Sequence, residues 1–128
     1  QYCHLIARKV RELGVTAEVF PSETPAAELR AARGIIISGG PSSVYEPESP
    51  RIAPALLSSL QPVLGICSGQ QLIAHNLDGA VEKGDKGEYG LAHLDIVATD
   101  PLLDGVSGRQ QVWMSHRDTV SAPPSGFT

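Results

Sequence analysis

The segment Gly65-Ile66-Cys67-Ser68-Gly69 sets a cysteine midway between two glycines. The apolar, β-branched run Pro62–Ile66 leads into it, and Gly69–Leu77 follows with Leu72, Ile73 and Leu77 at helical spacing. A buried strand that enters a helix through so short a turn forces the central residue into strained backbone, and glycine on either side leaves room for it. Few architectures tolerate such a joint. It suits an α/β layer fold in which the strand is covered and its carboxyl end opens on a ligand crevice.

The remaining pattern agrees. Residues 1–13 carry Tyr2, Leu5, Ile6, Val10 and Leu13 on one helical face, and Gly14 supplies the stop. Val15–Phe20 alternates and predicts a short strand. Ser22–Ala32 predicts a helix with Thr24 as N-cap and Pro25 at the first helical position. Gly34–Ser38 reads as a strand covered on both faces. Gly39–Pro50 is a loop, Ile52–Leu60 a short helix, and Asp78-Gly79 a turn. Glu82–Gly90 predicts a surface excursion, Leu91–Val97 and Gln110–Ser115 two further strands, and Pro123–Gly126 a closing turn. The expected fold is an open, mainly parallel sheet flanked by helices, flavodoxin-like in layering and incomplete, over one partial domain spanning 1–128.

Composition narrows the partners. Ten Lys and Arg against 14 Asp and Glu give a net charge of −4, the wrong sign for a nucleic-acid grip. Apolar runs of about five residues fall far short of the roughly 18 that span a bilayer. Cys3 and Cys67 form neither CxxC nor metal spacing, so no metal is expected and a cytoplasmic location is.

Cys67 occupies the nucleophile position of a G-x-nucleophile-x-G elbow, at the start of a helix whose first N–H groups favour negative charge. Its bland alternative is a small buried hydrophobe. Cys3, with no such context, reads as structural. Ser38-Gly39-Gly40-Pro41 follows a strand and would let backbone N–H groups approach a ligand; without a Lys-Ser/Thr it is not a Walker loop. Among the histidines, His4, His75 and His93 read as surface or packing residues, whereas His116 ends a strand at a loop edge.

Together, Gly65–Gln71, Ser38–Tyr45 and Trp113-Met114-Ser115-His116 resemble the class I (triad-type) glutamine amidotransferase domain. Leu5–Gly14 and Glu88-Tyr89-Gly90 are similar to its GMP-synthase type. The resemblance implies that Cys67 attacks the glutamine side-chain amide, that the N–H groups of Gly40 and Ser68 hold the oxyanion, and that Gln71, Ser115 and His116 bind substrate. It implies no cofactor in this domain. ATP and Mg belong to an ATP pyrophosphatase (synthetase) domain, in cis or on a separate polypeptide, that aminates xanthosine 5′-monophosphate; a homodimer of the full-length protein is compatible with it. Alternatives are an anthranilate- or carbamoyl-phosphate-synthase type of glutaminase, or a catalytically dead interaction module.

Departures from the family pattern are Ser68 for an aromatic residue, Gln70 for Met, Asp78 for Gly and Arg117 for Gly. The family's Asp-Phe-Gly-Ser strand and its His-Pro-Glu base segment do not occur in the sequence. Residues 1–128 alone are therefore expected to have little glutaminase activity and to be unstable or aggregation-prone.

Overall fold

The computed structural model describes residues 2–85, 87–98, 100–106 and 108–127. In chain order they form α1 (Cys3–Glu12), β1 (Ile35–Ile37), α2 (Pro54–Leu57), β2 (Val63–Gly65), α3 (Ser68–Asn76), β3 (Ala80–Glu82), β4 (Glu88–Asp95), β5 (Arg109–His116) and β6 (Thr119–Ala122), with a 3₁₀ turn at Pro101–Leu103. β1 and β2 pair in parallel, Ile36 opposite Leu64. Two antiparallel ladders, β3·β6 and β4·β5, complete a mixed α/β arrangement. No helix among the described residues is long and apolar enough to cross a membrane.

α1 ends as its sequence predicts. Gly14 takes φ +81°, the Gly14 N–H donates to Arg11 O at 2.9 Å, and the Val15 N–H donates to Val10 O at 3.3 Å. This is a Schellman stop, which satisfies carbonyls the helix leaves open. Lys9 and Arg8 both reach Glu12 at 2.8 Å and hold its carboxyl below the usual carboxylate range; so exposed, the pairs contribute little stability. The predicted apolar face is only partly used: Ala7 is buried, Ile6 and Val10 are half-buried, but Leu5 and Leu13 are exposed.

Two predicted elements are absent. Val15–Phe20 forms no ladder; the Val15 N–H goes to Val10 O, and Arg11 Nε donates to Ala17 O at 2.9 Å. Ser22–Ala32 is a chain of turns, not a helix capped by Thr24. Glu28, Leu29 and Ala32 N–H groups donate three residues back, to Pro25, Ala26 and Leu29. Gln61 Nε2 also takes the Leu29 carbonyl at 2.9 Å. With few buried side chains, propensity alone does not hold an α-helix of this length. β1 also departs from expectation, since Ile36 is exposed and one face of the strand stays open. The expected excursion Glu82–Gly90 shortens, because Glu88 already begins β4; Lys86 lies outside the described residues.

α3 closes on a non-glycine left-handed residue. Asp78 has φ +61°, and the Gly79 N–H beyond it donates to Ala74 O at 2.8 Å. A Cβ on Gly79 would come within 3.0 Å of two carbonyls, so the two residues are not interchangeable. Asp tolerates this conformation at a cost that glycine avoids. Asp78→Gly should therefore raise stability by about 0.5–1 kcal/mol, read as a higher thermal-unfolding midpoint of the full-length protein. An unchanged or lower midpoint would show that the aspartate side chain is needed there.

Candidate active site

β2 delivers the chain to Cys67, and α3 begins at the next residue. Cys67 adopts φ +56°, ψ −120°, a conformation L-residues reach only when their surroundings impose it. Those surroundings are backbone. A Cβ on Gly65 would lie 2.6 Å from Gln70 N, and one on Gly69 would lie 2.1 Å from Ile37 O. Both flanking glycines are thus required by the close approach of α3 to β1 and β2. The Cys67 thiol is exposed. It lies 3.8 Å from the Ser115 carbonyl oxygen, within reach of a thiol S–H.

The Gly39-Gly40 bend packs against the same turn. A Cβ on Gly39 would come 2.8 Å from Cys67 Cβ and 3.3 Å from Sγ. Ser68 is buried, and its Oγ accepts the Gly40 N–H at 2.6 Å. Gly40 and Ser68, the two residues expected to supply oxyanion donors, are therefore neighbours beside Cys67. The N–H groups of Gly69 and Gln70 are taken by the carbonyls of Ile66 and Cys67.

A small cavity of about 110 Å³ opens beside the sulfur, lined by Cys67, Gln70, Gln71, His116, Asp118, Thr119 and Val120. Gln71 is buried, and its Nε2 donates to Asp118 O at 2.6 Å. The β4·β5 register sets Glu88 opposite His116 and Tyr89 opposite Ser115, which brings the end of β5 to the site. His116 is held at both nitrogens, Nδ1 3.1 Å from Asp118 O and Nε2 3.2 Å from Glu88 Oε2. Ser115 meets Cys67 through its carbonyl, and its side chain does not line the cavity. Of the other histidines, His75 packs edge-on against Tyr45, with ring centroids 5.3 Å apart, while His4 and His93 are exposed on α1 and β4.

Asp118 was not singled out by its sequence, yet it ties the site together. It is 4% exposed, accepts from Ser43 Oγ through Oδ2, and offers its main-chain carbonyl to Gln71. Its Oδ1 and Ser38 Oγ are the two buried side-chain polar atoms without a partner among the described residues. Tyr45 Oη donates to Val81 O at 2.6 Å and fixes the other end of the glycine loop. The one sequence signal for Asp118 was its place two residues after His116.

The family model for glutamine amidotransferase class-I matches residues 1–128. The chain belongs to this family. A protein of Pyrobaculum aerophilum named GMP synthase [glutamine-hydrolyzing] is 50% identical over 129 positions, 99% of this chain and 25% of that protein. One of the same name from Geobacillus kaustophilus is 48% identical, again covering 99% of this chain and 25% of that protein. The amidotransferase chain thus spans about a quarter of the length of these relatives. The crystal structure of a Thermoplasma acidophilum protein titled "putative gmp synthase subunit a" superposes with TM-score 0.83 at 28% identity, covering 100% of this chain and 65% of that one. A glutamine amidotransferase from Thermotoga maritima shares the fold, with TM-score 0.69 at 24% identity over 93% of this chain and 56% of that one.

Proposed function

We propose that this amidotransferase chain is the glutaminase part of a GMP synthase, releasing ammonia from glutamine through a Cys67 thioester. One observation carries the reading: an exposed cysteine at positive φ, seated between Gly65 and Gly69 and against the Gly39-Gly40 bend. The half-identity to proteins named GMP synthase supports the choice of acceptor chemistry.

In this reading a base takes the Cys67 proton and the thiolate attacks the amide carbon. A C–S bond forms as the carbonyl π pair moves to oxygen, beside the N–H groups of Gly40 and Ser68. Collapse restores the C=O and breaks the C–N bond, with the base returning its proton to nitrogen, so ammonia leaves. Water then hydrolyses the thioester to glutamate and frees the thiol. No histidine among the described residues is hydrogen-bonded to Cys67 Sγ, and His116 is tied to Asp118 and Glu88. The base is therefore assigned to a His-Pro-Glu segment of the full-length protein, as the resemblance implies. Ammonia passes to a synthetase that holds ATP and Mg²⁺ and aminates xanthosine 5′-monophosphate.

Gln71 and His116 line the cavity together with Asp118, whose Oδ1 is buried and has no partner among the described residues. A buried carboxylate oxygen is costly until it is paired, so in this reading the carboxyl turns toward the cavity and meets the α-ammonium of glutamine. Asp118→Asn should raise KM for glutamine about 10- to 100-fold, the worth of one charge-assisted hydrogen bond, with kcat changed far less. An unchanged KM would remove Asp118 from the substrate site. The reading as a whole is tested by glutamine hydrolysis in the full-length protein, with and without ATP and xanthosine 5′-monophosphate; inert protein under both conditions would refute it.

A further inference from the structure

We propose that the Ser68 hydroxyl is a resident plug of the oxyanion hole, holding the Gly40 N–H until a full negative charge displaces it. The inference rests on the glutaminase reading and adds a side-chain role to a residue assigned there only through its backbone. Ser68 Oγ accepts the Gly40 N–H at 2.6 Å, and the serine is 8% exposed, so little water competes for the bond. A backbone N–H has one proton, and while it is given to Oγ it does not serve a substrate oxygen. A Cβ built on Gly40 would meet Ser68 Oγ at 3.8 Å, which again places the hydroxyl against this bend.

The consequence is selective. A neutral amide carbonyl offers the Gly40 N–H a bond no better than the serine already makes. The tetrahedral oxyanion offers a charge-assisted one, roughly twice as strong, and displaces the hydroxyl by rotation about χ1. Ser68 thus withholds one donor from ground-state glutamine and yields it to the transition state. The hydroxyl is a positioning group that acts through Gly40. Its cost is the Gly40–Ser68 hydrogen bond, which must break in every turnover.

The test is Ser68→Ala in the full-length protein, read by two labelling rates at Cys67 alongside glutamine kinetics. With a glutamine-shaped chloroketone the thiolate passes through a tetrahedral oxyanion before chloride leaves, whereas with iodoacetamide it displaces iodide directly at carbon. The variant should label about three- to tenfold faster with the chloroketone, and kcat/KM for glutamine should rise by a similar factor, the equivalent of one neutral hydrogen bond. Iodoacetamide labelling should stay within about twofold, which shows that the elbow and its thiol are intact. Unchanged chloroketone labelling in an active protein overturns the plug. Slower labelling also overturns it, and assigns the hydroxyl as an oxyanion donor instead. If the unsubstituted protein neither hydrolyses glutamine nor reacts with the chloroketone, the glutaminase reading falls and the plug with it.

Discussion

Replacing Cys67 by serine in the full-length protein should remove glutamine hydrolysis, with a loss of at least about 10⁴-fold, the scale seen when a nucleophile is taken from a catalytic unit. If the full-length protein is the GMP synthase proposed above, synthesis driven by added ammonium salt should survive, because that route bypasses the thioester. Stability should change little, since serine keeps the Cβ that the turn already accommodates. Cys67→Gly separates chemistry from strain. At φ +56°, ψ −120° an L-residue costs roughly 1–3 kcal/mol. Glycine removes that cost but adds about 0.5–1 kcal/mol of backbone entropy lost on folding. The glycine variant should therefore be as inactive as the serine variant yet more stable by about 1 kcal/mol, measured as a shift in the urea midpoint. A destabilised Cys67→Gly would mean that the elbow is relaxed; an active Cys67→Ser would mean that another group carries the attack. Both outcomes are visible in the same pair of proteins.

The elbow was legible in the sequence because its constraints are local. Glycines two residues on either side of a cysteine, with a β-branched run before and helical spacing after, leave few conformations, and β2, Cys67 and α3 fall where those residues place them. β1 was legible from Ile35-Ile36-Ile37 for the same reason, though not its open face, which depends on what packs there. Elements that need distant partners were not legible. Val15–Phe20 has strand composition and no ladder; Ser22–Ala32 has a helix start and no buried face to hold a helix. β3 and β6 are three and four residues long and pair with each other across the chain, too short for any periodicity to announce them. Asp118 shows the same limit at the site. Nothing in its sequence neighbourhood singles it out, and the contacts that hold it buried come from distant residues, Ser43 of the glycine loop and Gln71 of α3. The backbone roles proposed for Gly40 and Ser68 come from family resemblance, whereas the side-chain bond between them required coordinates.

Gly69→Ala should be a severely damaging single-methyl change. The added Cβ would sit 2.1 Å from Ile37 O, 2.8 Å from Ile37 C and 3.0 Å from Ile37 Cγ2. That carbonyl is also the acceptor for the Ile66 N–H at 2.9 Å, the last bond joining the two parallel strands before the elbow. Neither side yields cheaply. Moving β1 breaks its ladder with β2, and moving the start of α3 takes Ser68 from Gly40 and turns Cys67 out of its strained conformation. Overpacking of this kind costs about 3 kcal/mol or more when the obstacle is backbone. The expected result is a large fall in the urea midpoint and in soluble yield, together with loss of glutaminase activity. Gly40→Ala is the control, because its Cβ would meet nothing nearer than 3.8 Å; its stability should stay within about 0.5 kcal/mol of the parent protein. If Gly69→Ala folded as well as Gly40→Ala, α3 could not lie as close to β1 as the elbow demands, and the geometry that singles out Cys67 would have no support.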